Sequence, residues 1–232
     1  MKKIYRNTVK VLAVLIATTT LYSCSLVGLD VQKDYDRVTH TLDPELRMDT
    51  WEYLKLRSHG TLAEDKVFAS MMDAIEYAEI DSMEYKKPGR TFILIHDAAA
   101  KDFFKNVKIN NVAGTSFRSY PKEFIKNYLL YLIVDGVYDH YTIPALTTID
   151  ATTMAPAGYF NTLPTGITMP KYVANTNPQS IMRLAVLNTS VSNTSDSPIQ
   201  LNEVLNVRTS SLLATNGSIH VIGATLIPSL PL

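Results

Sequence analysis

The chain has 232 residues, 46% of them hydrophobic, with 22 basic against 22 acidic side chains, enough length and apolar content for one buried core. That balance excludes a nucleic-acid groove and a polybasic membrane patch, both of which need a cationic surface. The single cysteine excludes a disulfide framework.

Lys2, Lys3, Arg6 and Lys10 form a basic head, followed by the apolar run Val11 to Ala17 and the polar Thr18-Thr19-Thr20. The run is too short to span a bilayer, which takes about 20 apolar residues, so residues 1–23 are predicted to be a secretory signal. Leu21-Tyr22-Ser23-Cys24 has the order of a lipobox: aliphatic, variable, small, cysteine. Cleavage before Cys24 and lipidation of its thiol predict anchoring without a spanning helix, at about 0.8 kcal/mol per buried methylene. The alternative for Cys24 is a small buried residue or an odd thiol, and its place directly behind the signal favours lipid. Cleavage removes four basic and no acidic residues, leaving 18 against 22. Ser25 does not resemble an inner-membrane retention signal, so the outer membrane is expected, with the cell surface favoured over the periplasmic face. Gln32-Lys33-Asp34-Tyr35-Asp36 reads either as a surface-export signal, farther from the cysteine than usual, or as a solvated linker. Residues 24–45 are polar and aperiodic and predict a flexible tether, with a single domain over 46–230.

Charged residues concentrate between positions 30 and 126, whereas 141–232 is rich in Thr, Asn, Ser, Ala and aliphatics. This asymmetry predicts helices first and strands later, an α+β fold. Asp49-Thr50-Trp51-Glu52 has capping-box spacing and opens a short helix with Trp51 and Leu54 inward. Val67, Phe68, Met71, Met72, Ile75 and Ala78 recur at helical spacing. After the Lys87-Pro88-Gly89 turn, Thr91 to Ile95 is a short apolar run of the buried-strand kind. Asp97 can cap the helix that follows. Pro121 starts another helix, with Phe124, Ile125, Leu129, Leu132 and Ile133 on one face. Strands are expected at Ala145 to Ile149 and Ile181 to Leu187, between proline-marked loops. Asn188 to Pro198 is expected to be a surface loop. Leu205 to Arg208 and Ile219 to Ile227 close the chain, with Asn216-Gly217 as a hairpin signal.

Few residues carry chemistry. No Gly-x-Ser-x-Gly elbow, His-Glu-x-x-His or phosphate-cradling glycine loop is present, so no cofactor, no metal and no catalysis are expected; carboxylates converging from distant positions are the hydrolase alternative. Asp135, Asp139 and His140 read as a cation cluster or, favoured, as a solvated turn. Among the 13 tyrosines, Tyr138, Tyr141, Tyr159 and Tyr172 in the loop-rich half are candidates for stacking on sugars, against ordinary half-burial. His220, between Ile219 and Val221, points to the opposite face of its strand, either as a contact residue or, favoured, as a structural histidine. Asp81-Ser82-Met83 resembles an O-glycosylation acceptor, or is a helix-ending turn.

Ala214-Thr215-Asn216-Gly217-Ser218-Ile219-His220-Val221-Ile222, followed by Leu226-Ile227-Pro228, resembles the second motif of the fasciclin-domain family. Thr91-Phe92-Ile93-Leu94-Ile95-His96-Asp97 sits where that family has its first motif, and Leu146 to Asp150 is similar to the stretch after its central helix. The resemblance covers roughly Leu46 to Pro228. Two departures stand out. Leu94-Ile95 and His96 replace the family's Ala-Pro and Thr, and Tyr131-Leu132 replaces a Tyr-His pair that some members use in adhesion. Tyr159 to Tyr172 is longer than a minimal fasciclin domain. The resemblance implies a wedge-shaped β-sandwich with flanking helices and a non-catalytic adhesion or interaction role. Its family-motif residues are Thr91, Asp97, Asn216, Gly217 and His220, and its candidate contacts are Tyr131, Tyr138, Tyr141 and His220. Expected partners are the membrane, through the N-terminal lipid, and extracellular matrix, polysaccharide or an envelope protein. An accessory subunit of an outer-membrane glycan- or nutrient-uptake complex is the alternative.

Overall fold

The computed structural model describes residues 44–60, 66–144, 146–187 and 198–231. The signal, Cys24, the tether as far as Asp43, and the expected loop over 188–197 lie outside them. Among the described residues no helix is long and apolar enough to cross a membrane.

Helix α1 (Thr50–Leu56) begins as its sequence dictates: the Asp49 carboxylate accepts from Glu52 N at 2.8 Å, filling one orphan donor of the first turn. Helix α2 (Ala69–Tyr77) buries Met71, Ala74 and Ile75. Its N-terminal flank, Phe68, has no side-chain oxygen to offer. Strand β1 (Arg90–Ile95) follows, and then helix α3 (Asp97–Asn106). The expected cap at Asp97 is displaced by one residue: His96 Nδ1 accepts from Ala98 N at 3.0 Å. Asp97 Oδ1 instead accepts from Ser70 N at 2.9 Å, so it caps α2 from outside. A short hairpin, β2 (Lys108–Ile109) and β3 (Val112–Ala113), leads to α4 (Lys122–Tyr131), where Pro121 stands just before the first turn.

The remaining elements are strands: β4 (Ile133–Asp135), β5 (Thr148–Thr152), β6 (Ile167–Thr168), β7 (Ile181–Val186), β8 (Ile199–Leu201), β9 (Leu205–Asn206), β10 (Thr209–Ala214) and β11 (Gly217–Ile222). β5 starts three residues later than its sequence predicts, and β11 ends at Ile222 with no strand carrying on to Ile227. Together they make an α+β fold. One sheet has the order β10-β11-β1-β4, with β1 and β11 parallel at its centre, and another has the order β5-β7-β8-β9. A bridge between Val134 and Thr153 links the two. The long segment 159–172 contributes β6, whose Thr168 pairs with Lys108 to complete a three-stranded sheet of β3, β2 and β6.

Burial follows these layers. In β7, Met182, Leu184 and Val186 are buried while the alternate residues are not, the mark of a sheet with one solvated face. On that outer face Arg183 pairs with Asp150 at 3.0 Å and Glu203 at 2.7 Å. In β1 and β11 the last five residues of each are buried on both faces. One continuous core takes side chains from helices α1 to α4 and both four-stranded sheets. Phe103 anchors its aromatic part, 5.2 Å from Phe117 and 5.0 Å from Tyr128.

The first described residues are also tied to the hairpin β10–β11. Leu213 N donates to Pro44 O, Leu46 N to Leu213 O, and Thr215 N to Met48 O. Pro44 and Glu45, expected in the tether, therefore cover the edge of β10, which would otherwise present free backbone groups.

Candidate functional site

The loop between β4 and β5 is where several of the residues singled out from the sequence converge. Thr91 and His220 lie on one face of the central β1–β11 pair, since Thr91 is in register with Ser218 and Ile93 with His220. Thr91 Oγ1 donates to Gly136 O and accepts from Tyr138 N, both at 2.8 Å. His220 Nε2 donates to Tyr138 O at 2.8 Å, and its Nδ1 accepts from Ser211 N at 3.0 Å. Both backbone polar groups of Tyr138 are thus held by two side chains more than a hundred residues apart in sequence. Burial drives the His220 imidazole down to about 4, so it is neutral at ordinary pH with the proton on Nε2.

Ser211 is the second hub. It adopts φ 57° at the register shift between Thr209 and Leu212, a bulge that turns its N–H toward His220. Its hydroxyl takes His140 N at 3.1 Å and His140 Nδ1 at 2.7 Å. Asp139, almost fully buried, accepts from Tyr141 N, Thr142 N and Thr142 Oγ1 at 2.8 to 3.1 Å. That carboxylate is occupied in shaping a turn, as the spacing Asp139-x-x-Thr142 could have signalled. Among the described residues no group of three His, Cys, Asp or Glu side chains is placed to hold a metal ion.

What this scaffold presents is Tyr141. The residue is 78% exposed, the one aromatic among the exposed large hydrophobics of the described residues, and Val137 and Leu146 on the same loop are 38% and 59% exposed. Tyr138 is half-buried, its ring folded over Gly136, where an added Cβ would lie 2.8 Å from the phenol oxygen. Tyr159 and Tyr172, also named as sugar platforms, are half-buried. Tyr159 packs on Phe160 with centroids 5.0 Å apart, and Tyr172 OH donates to Phe160 O.

Two proposed contact residues are corrected. His220 and Tyr131 are both fully buried, so neither side chain reaches a partner. His220 acts through the loop it holds. Tyr131 belongs to a different centre: its hydroxyl donates to Ile181 O at 2.8 Å and accepts from Asn202 Nδ2 at 2.9 Å, with Asn177 Nδ2 at 3.4 Å. Burial pushes its phenol well above the usual range. Asn177 and Asn202 also bond the carbonyls of Pro228 and Ile227, tying the chain end to β7.

Asn216 and Gly217 serve contacts rather than a turn conformation. The hairpin pairs Ala214 with Gly217, so Thr215 and Asn216 make the connection. Asn216 Oδ1 accepts from Thr50 N and Oγ1 at 2.9 and 3.0 Å, and Nδ2 donates to Tyr85 O at 2.9 Å. A Cβ on Gly217 would meet the Arg90 carbonyl oxygen at 1.9 Å. Only glycine lets β1 approach there.

No family model matches the chain, and no curated protein does. Among solved structures it is similar to a FAS1 domain pair from the insect cell adhesion molecule fasciclin I, at 17% identity and a TM-score of 0.43. The match covers 69% of this chain and 44% of that one.

Proposed function

We propose that this chain is a lipid-anchored protein of a Gram-negative outer membrane, facing outward, whose fasciclin-like domain mediates adhesion through protein or glycan contacts and is non-catalytic. The observation that carries this reading is the exposed Tyr141, whose N–H donates to Asp139 in a loop that Thr91 and His220 hold at Tyr138. A tyrosine on a loop backbone fixed in this way leaves less main-chain freedom to lose on binding and offers a large amphipathic face. Support for the fasciclin-like assignment comes from the two motif segments, which lie side by side as β1 and β11 and share one polar network. Support for the anchor comes from the signal anatomy and Cys24.

The test combines location with contact. Intact cells carrying the native chain are treated with protease, beside a Cys24→Ala control, and their adhesion to immobilised matrix glycoproteins and polysaccharides is measured with Tyr141→Ala. The reading expects the domain to be shaved from whole cells and adhesion to fall by about thirtyfold or more, the scale of a hot-spot aromatic. Tyr159→Phe, altering a ring packed inward, should leave adhesion unchanged. Protection until the outer membrane is opened would overturn the outward placement and turn attention to an envelope complex. Full adhesion by a folded Tyr141→Ala protein would remove the loop from the account.

A further inference from the structure

A cleft of about 330 Å³ opens away from that loop, between α3, the chain leaving β6 and the segment after β11. Its size is that of a small-ligand site. Met169, Pro170, Leu205 and Ile227 give it an apolar wall, and Asp102, Asn106, Thr225 and Lys171 supply polar groups. Asp102 and Asn106 are four residues apart, on one face of α3.

Each polar group has a defined remaining capacity. Asp102 Oδ2 accepts from Thr225 N at 2.9 Å and Thr225 Oγ1 at 2.6 Å, and Oδ1 accepts from Asn106 Nδ2 at 2.8 Å. A carboxylate offers about four acceptor positions, so Oδ1 has room for one more donor. The Asn106 carbonyl oxygen has no hydrogen-bond partner among the described residues. Lys171 has no ion-pair partner among them either, and neither does Lys108, which is exposed on the strand paired with Thr168, three positions before Lys171. The cleft therefore combines an apolar wall, oxygen acceptors on α3 and one ammonium group, that of Lys171, without an ion-pair partner among the described residues.

A simple anion would meet the Asp102 carboxylate, and a hydrocarbon acid would leave the acceptors without donors. A pyranose carrying a carboxylate satisfies all three features. Its C–H face packs on Met169, Pro170, Leu205 and Ile227, its hydroxyls donate to Asn106 and Asp102, and its carboxylate pairs with Lys171. We propose that this cleft binds a hexuronic acid residue, either free or within an acidic polysaccharide. The inference does not rest on the Tyr141 loop, and either can fail alone.

The test is calorimetric titration of the full chain in mild detergent with D-galacturonate, tetragalacturonate and D-galactose. Saturable binding of at least one uronate is expected, with galactose about tenfold weaker, and Lys171→Gln should weaken uronate binding by about tenfold. Ala224→Phe, narrowing the cleft, should reduce binding in a protein whose melting temperature is retained. Equal binding of monomer and tetramer identifies a free or terminal residue, and much tighter binding of the tetramer identifies a chain interior; both support the site. No saturable binding of either uronate, equal binding of galactose, or binding indifferent to Lys171→Gln would each overturn it.

Discussion

Two buried polar centres divide the molecule. Around His220, a histidine, a threonine and a serine from the β10–β11–β1 sheet reach out to hold the backbone of a neighbouring loop. Around Tyr131, a phenol and two asparagine amides hold the chain end against β7. Both satisfy buried groups that would otherwise cost about 1 to 3 kcal/mol each. They differ in what can undo them. The first includes a group that takes up a proton in mild acid, and it ends on an exposed surface. The second is built from groups with no charge to gain below alkaline pH, and it ends in the core. One centre joins stability to a surface; the other only fastens.

The largest separation between them should come from Gly217→Ala. The new methyl would collide with the Arg90 carbonyl and force β1 from β11, costing more than about 4 kcal/mol. Urea denaturation should show this, and a loss below 1 kcal/mol would mean the hairpin relaxes freely. Acid comes next. His220 lies near 4 in the folded chain against about 6.5 when unfolded. The folded state therefore binds fewer protons, its stability is full above pH 6.5, and about 3 kcal/mol is lost as pH falls to about 4. His220→Gln should flatten that slope in melts across the range, while Tyr131→Phe should preserve it. Tyr131→Phe itself leaves Ile181 O and the Asn202 amide short of a partner and should cost about 1 to 2 kcal/mol at every pH from 4 to 8. The smallest effect is expected from Ser218→Ala. The Ser218 hydroxyl is fully buried without a partner among the described residues, so its removal should stabilise by up to about 1 kcal/mol; a loss of that size would reveal a water or an unseen acceptor.

The same contrast explains what the sequence made legible. α1, α2, α4, β1 and β7 were readable because capping spacing and apolar periodicity are local. β2, β3 and β6 were not, since two-residue strands are too short for alternation, although Asn110 and Asn111, both at positive φ, are typical of a tight hairpin turn. Thr91 and His220 were recognisable as motif positions, but their meeting at Tyr138 depends on the parallel pairing of β1 with β11, a long-range event that periodicity does not encode. Asn177 and Asn202 gave no signal, because asparagine between strands reads as loop. Tyr131 was misplaced for the complementary reason: a tyrosine is equally at home on a surface and in a core.

The attachment of residues 44–50 to the hairpin carries a mechanical consequence. Pro44, Leu46, Met48 and Thr50 each hydrogen-bond to the hairpin, at Leu213, Leu213, Thr215 and Asn216. A pull arriving from the N-terminal side meets these points one after another and not all together. The segment would peel stepwise, and α1 would come under load only once Asn216 had let go of Thr50. Force-driven opening is set by unfolding rates rather than by equilibrium stability, so Asn216 would act as the catch between harmless slack and loss of the domain.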